Sequence, residues 1–306
     1  MKTILILGGN GFLGSNIIAF AKRQLPDLYK FVIVDGRPAS KLFEGVKEYV
    51  GNAGDSQLLE KVFIENKIDI VVHSFSASIP ASEVGAKAEV EGNLLPTLTL
   101  LDTMLKHSIK DIVFISSGGA IYGNRFAEKH KESDDVFPIS SYGVTKLMIE
   151  KYLMQYAELF GLKPLILRLS NPYGLYHYSD RQGICNVALK KAVKGEIFTI
   201  YGDGKATKDY IFVEDFADIL FRLIKKEVNS TVLNVASSTL LSVNDILNSV
   251  KNIAPDFRWQ YKEASIFDVP CFALDTSKLE SVLGIYSFTP FAEGLQKTFV
   301  WEKDKA

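Results

Sequence analysis

A tyrosine and a lysine, Tyr142 and Lys146, lie four residues apart in the chain. On an α-helix, this spacing places both side chains on the same face. A free tyrosine has a pKa of about 10, and a neighbouring ammonium lowers that pKa because it favours the phenolate. The pair therefore predicts a general base, Tyr142, that takes a proton from a substrate hydroxyl or returns it. A surface pair on an amphipathic helix, common by chance, is the alternative.

Three glycines recur at intervals of three residues near the start of the chain, at Gly8, Gly11 and Gly14. They follow a short apolar run and open an amphipathic stretch. One glycine permits a tight turn, one lets a pyrophosphate approach the backbone, and one lets a helix and a strand pack closely. Phe12 and Leu13 then begin a helix whose N–H groups and positive dipole end attract phosphate. Because turns use glycine in any case, the glycines alone are weak evidence.

An acidic residue, Asp35, ends the second apolar run about 20 residues after the glycines, where a carboxylate can accept hydrogen bonds from ribose hydroxyls. Together, the glycines and the acid predict a dinucleotide site. A positive nicotinamide bound there would join the lysine in lowering the pKa of Tyr142. A carboxylate repels a 2′-phosphate, so this residue favours NAD over NADP. Arg37 follows two residues later and would soften that preference, which keeps NADP as the alternative.

Alternating strands and helices must position these residues. Short β-branched runs predict strands at 3–7, 31–35, 70–74, 112–116 and 165–169. Longer amphipathic runs predict helices at 11–24, 56–66, 82–107 and 141–160. Because the strands are apolar throughout, the alternation predicts a parallel sheet covered on both faces, that is, a Rossmann-type doubly wound α/β fold.

The regular alternation weakens after residue 170. Strands predicted near 210–213 and 232–235 flank a helix predicted around 215–226, and short helices and loops follow. The sequence therefore predicts an NAD-binding domain at 1–170 that also receives 214–241. The remainder of 171–306 is expected to form mainly a smaller C-terminal substrate-binding lobe, at the edge of the sheet where such folds bind ligands.

The composition narrows the class of partner. The 306 residues include 35 Lys and Arg against 36 Asp and Glu, so the net charge of −1 offers no basic surplus for nucleic acid or anionic lipid. A small-molecule partner is expected instead. No stretch approaches the roughly 20 apolar residues of a membrane span, and the apolar run at 4–7 is too short for a signal peptide, which predicts a cytoplasmic protein. Two cysteines and four histidines form no ligand set, so no metal is expected.

The longer motifs resemble those of the extended short-chain dehydrogenases/reductases, in particular the NAD-dependent nucleotide-sugar epimerase/dehydratase family and its UDP-hexose 4-epimerases. Besides the glycines, the resemblance rests on segments 116–123, 142–146, 168–174, 201–204, 208–210, 234–237 and 268–270. It covers nearly the whole chain. It implies a nucleotide-sugar substrate and a homodimer built from the helices predicted at 82–107 and 141–160.

Further site residues are implied by this resemblance alone. It places Asn52 and Ala53 beside the adenine and Asn93 near the nicotinamide ribose. Residues at or just after the ends of two predicted strands would line the cofactor, and the tyrosine–lysine pair would contact it as well; the set is Ser74, Phe75, Ser76, Ser116, Tyr142 and Lys146. The implied substrate contacts are Asn171, Lys208 and Tyr210.

The chain departs from the family pattern at the hydroxyl that assists the tyrosine. The family has Ser or Thr where this chain has Gly118. Ser117, one residue earlier, is the nearest replacement and our candidate for a third catalytic residue. A strand-like Ser117 would point to the other face unless the glycines distort the backbone. The alternative is that its hydroxyl only bonds the backbone.

Two arginines of the family's phosphate clamp are also replaced. Lys208 stands in place of one of them and keeps the positive charge but not the bidentate fork. Ser265 stands in place of the other. Arg181 and Lys205 are candidate substitutes from the same lobe.

Two further positions bear on the reaction. Gly119 and Ala120 occupy positions where the family's sugar 4,6-dehydratases carry an acid pair, and its decarboxylases carry Glu at the second. Without an acid there, both reactions are disfavoured. What remains is an NAD-dependent nucleotide-sugar 4-epimerase, acting on a UDP-hexose or its N-acetyl form. Two alternatives stay open: a 4-keto-sugar reductase that consumes NADH or NADPH, and a non-catalytic sensor of NAD or a sugar nucleotide.

Overall fold

The computed structural model describes residues 1–39, 43–78, 85–123, 129–263 and 271–305. The chain divides into two units. The first comprises Met1–Gly123, Asp135–Arg168 and Ala217–Leu233. The second comprises Asn124–Asp134, Leu169–Phe216 and Asn234–Ala306.

Strands and helices alternate through the first part of the chain. In order, they are β1 (Lys2–Leu7), α1 (Phe12–Gln24), β2 (Tyr29–Asp35), β3 (Val46–Val50), α2 (Ser56–Glu65), β4 (Ile70–His73), α3 (Ala86–Glu89), a π-helical turn (Val90–Leu94), α4 (Leu95–Lys106), β5 (Asp111–Ser117), α5 (Gly118–Ile121), α6 (Ser141–Phe160) and β6 (Lys163–Leu169).

Shorter elements make up the rest. They are β7 (Asn171–Tyr173), α7 (Ile184–Lys194), β8 (Phe198–Tyr201), β9 (Thr207–Phe212), α8 (Val213–Lys225), β10 (Thr231–Val235), β11 (Leu240–Ser242), α9 (Val243–Ile253), β12 (Trp259–Lys262), β13 (Cys271–Phe272), α10 (Ser277–Leu283) and α11 (Phe291–Lys305). Among the described residues, no helix combines the length and the apolarity needed to cross a bilayer.

Seven strands form a parallel sheet in the order β10-β6-β5-β4-β1-β2-β3. The predicted Rossmann-type doubly wound fold is therefore confirmed. The strand order reverses between β1 and β4, and the carboxyl ends of strands at such a point create the ligand crevice of these folds. The core of the sheet includes residues that are almost fully buried, such as Leu5, Val71, Ile112, Phe114 and Ile166.

One strand of the sheet, β3, was missing from the sequence prediction. It lies at the edge and pairs in parallel with β2, with Asp35 opposite Val50. Its burial is interrupted: Val46 and Tyr49 are buried, whereas Lys47 and Val50 are exposed. Its charged residues hid it from a search for continuous apolar runs.

The helix predicted over 82–107 differs from the structure within its described part, where a π-helical turn separates α3 from α4. Pro96 lies at the start of α4. Proline has no N–H to donate to the carbonyl four residues earlier, and its ring clashes with that carbonyl in a regular α-helix. A wider π turn immediately before the proline relieves both problems.

In the second unit, β9 is the central strand of a small sheet. It pairs with β11, β13 and β7. The parallel pairing of β7 with β9 places Asn171 opposite Tyr210. Two of the three predicted substrate contacts are thus neighbours in this sheet, and Lys208 lies two residues earlier on β9.

Candidate active site

The glycine turn between β1 and α1 has the geometry that a pyrophosphate needs. Gly8 adopts a positive φ of 80°. A Cβ atom on Gly14 would overlap the backbone of Gly8 and Gly9, so only glycine lets the helix start this close to the strand. No side chain of the described residues caps α1 at Gly11, so the helix N-terminus at Phe12 fits a phosphate ligand.

The carboxylate of Asp35 is fixed at the end of β2 beside this turn. Its Oδ2 accepts a hydrogen bond from the Asn10 backbone N–H at 3.1 Å, and its Oδ1 accepts one from the Arg37 backbone N–H at 3.1 Å. The Asn10 side chain donates to Glu48 Oε1 at 2.7 Å. A second carboxylate from β3 therefore stands near the predicted ribose site, which strengthens the repulsion of a 2′-phosphate.

The residues predicted beside the adenine follow β3 directly. The Gly51 N–H donates to the Asp35 carbonyl at 2.9 Å, which joins the ends of β3 and β2. Asn52 is exposed, and its Oδ1 accepts from the Gly54 N–H at 2.8 Å; Ala53 is buried. The structure thus brings Asn52 and Asp35 to adjacent strand ends.

The segment after β4 lies against the glycine turn. Ser74 Oγ donates to the Leu7 carbonyl at 2.8 Å, and a Cβ atom on Gly8 would overlap the backbone of Phe75. Asn93 lies in the π-helical turn, and its Oδ1 accepts a hydrogen bond from the Ala77 N–H at 2.7 Å. This bond ties the segment after β4 to the π-helical turn. Ser76 Oγ donates to the Ser78 carbonyl at 2.9 Å.

The tyrosine–lysine pair, Tyr142 and Lys146, lies in the first turns of α6. Ser140 caps this helix by accepting from the Gly143 N–H at 3.1 Å. A Cβ atom on Gly143 would overlap the carbonyl oxygen of Ala120, so glycine lets α6 begin against α5. Lys146 Nζ donates to the Ile115 carbonyl at 3.0 Å and lies 5.7 Å from the centre of the Tyr142 ring.

The protein's own groups raise the pKa of Tyr142 to about 12, chiefly because burial penalises the phenolate. A side-chain hydrogen bond with Ser117 opposes this and lowers the pKa, whereas the charge of Glu89 raises it. Desolvation therefore dominates the pKa of Tyr142 in the protein alone. That the lysine and the positive nicotinamide together lower this pKa stays a prediction.

Burial also disfavours the charged form of Lys146 and lowers its pKa to about 8. Two carboxylates, Glu150 and Glu89, oppose this effect and raise the pKa. At neutral pH the lysine therefore remains mainly an ammonium, which is the form that stabilises a nearby phenolate.

Two consecutive serines end β5, and both act on residues of α6. Ser116 is buried, and its Oγ donates to Glu150 Oε1 at 2.6 Å. Ser117 is the last residue of β5, and its side chain lowers the pKa of Tyr142. A short helical turn then starts at Gly118. Ser117 therefore acts on the pKa of the tyrosine although Gly118 occupies the family's usual position, and its catalytic role stays a prediction.

A buried ion pair that the sequence analysis missed stands behind these serines. Arg168 on β6 binds Glu150 through its NH2 at 2.8 Å and its Nε at 3.2 Å. Its NH1 donates to the Tyr122 hydroxyl at 2.8 Å. Glu150 follows Lys146 by four residues, so the sequence did carry a signal in a lysine and a glutamate on one helix face. No comparable pattern pointed to Glu89, Asn10 or Glu48.

In the second unit, the predicted substrate residues cluster on β7 and β9. Asn171 Nδ2 donates to the Asp209 carbonyl at 2.8 Å, and Tyr210 is buried. Asp209 itself is fully buried; burial raises its pKa to about 6, and its Oδ1 accepts from Ser170 and the Ser237 N–H. It fastens β9 within this unit, a role that the sequence analysis did not predict.

The candidate phosphate-binding cations also lie in this unit. Lys208 is half-buried on β9. Lys205 is exposed and lies 3.4 Å from Asp203 Oδ2. Arg181 is exposed in the segment before α7. Ser265 lies outside the described residues.

A seven-stranded sheet of this order, a glycine turn without a capping side chain, and a tyrosine–lysine pair on α6 together define a Rossmann enzyme of the short-chain dehydrogenase/reductase type. The sequence profile of the NAD dependent epimerase/dehydratase family matches residues 4–236. The UDP-glucose 4-epimerase of Halalkalibacterium halodurans is 31% identical over 268 residues, which cover 82% of this chain and 80% of that protein.

Two solved structures resemble the chain over its whole length. The crystal structure of the Thermotoga maritima UDP-glucose 4-epimerase with UDP-glucose gives a TM-score of 0.91 at 28% identity and covers 99% of both chains. The Thermus thermophilus UDP-glucose 4-epimerase in complex with NAD gives 0.91 at 26% identity and covers 100% of both. The protein belongs to the NAD-dependent epimerase/dehydratase family and is an enzyme whose cofactor is NAD.

Proposed function

We propose that the protein is a nucleotide-sugar 4-epimerase that acts on a UDP-hexose or its N-acetyl form. The observation that carries the proposal is the geometry of the tyrosine–lysine pair: Lys146 Nζ lies 5.7 Å from the centre of the Tyr142 ring and donates to the Ile115 carbonyl, close to the end of β5 where Ser117 lowers the pKa of Tyr142. Tyr142, Lys146 and Ser117 provide proton transfer at a sugar hydroxyl. The similarity to UDP-glucose 4-epimerases supports the choice of substrate.

Tyr142 takes the proton of the sugar 4-hydroxyl, which Ser117 positions through its hydrogen bond to the same tyrosine. The Lys146 ammonium stabilises the phenolate form of Tyr142. NAD, which the glycine turn and Asp35 would hold, would supply the hydride chemistry at carbon 4 of the sugar. Tyr142 then returns the proton, so the sugar is epimerised without net oxidation.

The residues around the pair favour this reaction over dehydration. Gly119 and Ala120 form the turn after Ser117 and offer no side chain that protonates a leaving hydroxyl. In this proposal, Lys208 and Asn171 bind the substrate phosphate in place of the family's arginine clamp. Tyr210 lies opposite Asn171 in the same small sheet.

We also propose that the enzyme is a homodimer formed by α4 and α6. Within the chain, Tyr156 on α6 donates to Asp102 on α4 at 2.7 Å, so these helices are neighbours. Large apolar side chains of α6 remain exposed, among them Met154 and Leu159. A second copy of the same helix pair would cover them.

The test is to incubate the protein as isolated, without added cofactor, with UDP-glucose, UDP-galactose and their N-acetyl forms, and to follow the anomeric protons by NMR. Growth of one epimer at the expense of its partner is expected. Tyr142→Phe should reduce the rate by about 10²–10⁴-fold, the usual contribution of general-base catalysis.

Tyr156→Phe is the matched control, because it removes a hydroxyl from the same helix roughly 20 Å away. It should keep the parental rate. No epimer from any of the four sugars would overturn the proposal, and consumption of one NADH or NADPH per turnover would identify a reductase. Sugar-nucleotide binding without turnover in the parent would identify a sensor.

A further inference from the structure

Glu89 is a buried acid close to the tyrosine–lysine pair, and the mechanism above does not use it. It ends α3, and its residue is only 1% exposed. Its Oε2 accepts from Asn93 Nδ2 at 2.8 Å. Its Oε1 is buried and has no hydrogen-bond partner among the described residues. Burying a carboxylate with one oxygen unsatisfied is costly, so the position calls for a compensating role.

The elements around Glu89 connect the cofactor side of the site to the catalytic helix. Both α3 and the π-helical turn pack against α6, which carries the pair. On its other side, Asn93 binds the Ala77 N–H at 2.7 Å and Ser78 Oγ at 3.2 Å, in the segment after β4. Glu89 therefore lies between the segment that is predicted to line NAD and the tyrosine–lysine pair.

The other titratable groups near the pair either form an ion pair or carry no charge. Glu150, on α6 itself, is neutralised by its ion pair with Arg168 on β6 at 2.8 Å. His73 on β4 is buried, and its pKa is lowered to about 3, so it carries no charge near neutral pH. The charge of Glu89 acts on both Tyr142 and Lys146. Among the described residues, it is the carboxylate near the pair that lacks a cation at hydrogen-bond distance.

We infer that Glu89 is a positioning residue whose buried carboxylate sets the charge of the tyrosine–lysine pair, keeping Lys146 an ammonium and Tyr142 a neutral phenol until positive charge arrives. The inference deepens the proposed function and rests on it, because Tyr142 acts there as a base whose phenolate form the Lys146 ammonium stabilises. Attraction to the ammonium offsets the cost of burying a carboxylate with an unsatisfied oxygen at this position.

The experiment measures the titration of Lys146 directly, in the whole protein as isolated and without substrate. Lysines are labelled with ¹³C at Cε, and the Lys146 signal is assigned by its loss in Lys146→Arg. In Glu89→Gln, the midpoint of the Lys146 titration should fall by about one pH unit, because an attractive charge is removed. Glu89→Asp, which keeps the charge, should stay near the parental midpoint.

Glu91→Gln is the matched control, because Glu91 lies two residues further on, is exposed, and pairs with Lys87 at the surface. It should leave the midpoint unchanged. If the glutamine variant does not fold, Glu89→Met takes its place in the same titration, because methionine fills a similar space without a charged group. A parental midpoint in either folded variant overturns the inference. Because no sugar is involved, this result stands apart from the outcome of the epimerase assay.

Discussion

At the scale of single residues, the hydrogen bond from Ser117 is the feature that most directly favours the ionised form of Tyr142. We predict that Ser117→Ala raises the pKa of Tyr142 further, because the hydrogen bond that lowers it is lost. A base whose pKa rises is deprotonated only at higher pH. In a plot of kcat against pH, the low-pH side (the acidic limb) should therefore move to higher pH. At neutral pH, kcat should fall about tenfold for each pH unit of that shift.

Ser116→Ala separates this effect from a general loss of structure. Its hydroxyl binds Glu150 rather than the tyrosine, so the variant should lower the free energy of unfolding without moving the acidic limb. If Ser117→Ala keeps the parental rate and pH profile, the hydroxyl only bonds the backbone, and the residue is not catalytic.

Some residues of the site could be predicted from the sequence, because their chemistry is local. The four-residue spacing on one helix predicted Tyr142 and Lys146. The position at the end of a strand predicted Asp35. Glu89 was out of reach, because its burial depends on how α3 packs against a helix more than 50 residues later. For the same reason, Glu48 gave no signal: its bond to Asn10 spans 38 residues.

At the scale of elements, the ion pair between Glu150 and Arg168 fastens α6 to β6, and Ser116 extends it to β5. We predict that Glu150→Ala lowers the free energy of unfolding by about 3–5 kcal/mol, because it leaves a buried guanidinium without its partner. Urea denaturation of the parent and the variant would measure the difference.

Glu158→Ala, at an exposed position of the same helix, is the control and should stay within about 0.5 kcal/mol of the parent. The double variant Glu150→Met with Arg168→Met should recover part of the loss, because no unpaired charge stays buried. Equal stabilities of Glu150→Ala and Glu158→Ala would show that the pair contributes nothing.

Helix prediction succeeded where the amphipathic periodicity described a regular α-helix, and it failed where the helix is interrupted. The helix predicted at 141–160 has the bounds of α6. Its ends carry local signals, a serine cap at Ser140 and a left-handed glycine at Gly161. The π-helical turn could not be foreseen from amphipathic periodicity, although Pro96 is a signal that a regular helix is interrupted nearby.

At the scale of the whole molecule, long-range contacts decide which segments belong together. His130 lies in the segment that precedes α6. Its N–H donates to the Ala273 carbonyl at 3.0 Å. Asn234 Nδ2 donates to the His130 carbonyl at 2.8 Å, across 104 residues. Contacts of this kind place 129–134 in the second unit. Local composition carries no trace of such pairings, so the sequence could not reveal this assignment.

The oligomeric state is the last prediction at this scale, and it depends on apolar side chains that α6 leaves exposed. Met154 is 39% and Leu159 is 63% exposed. If α4 and α6 pair with their copies in a second chain, the protein should sediment at twice its mass of 34.0 kDa. Met154→Glu and Leu159→Glu should each shift the equilibrium toward the monomer, because an unpaired carboxylate is costly to bury in an interface. Ile64→Glu, on α2 and 72% exposed, is the control that should remain dimeric. A parental protein that sediments as a monomer would contradict the prediction, and variants that stay dimeric would move the interface away from α6.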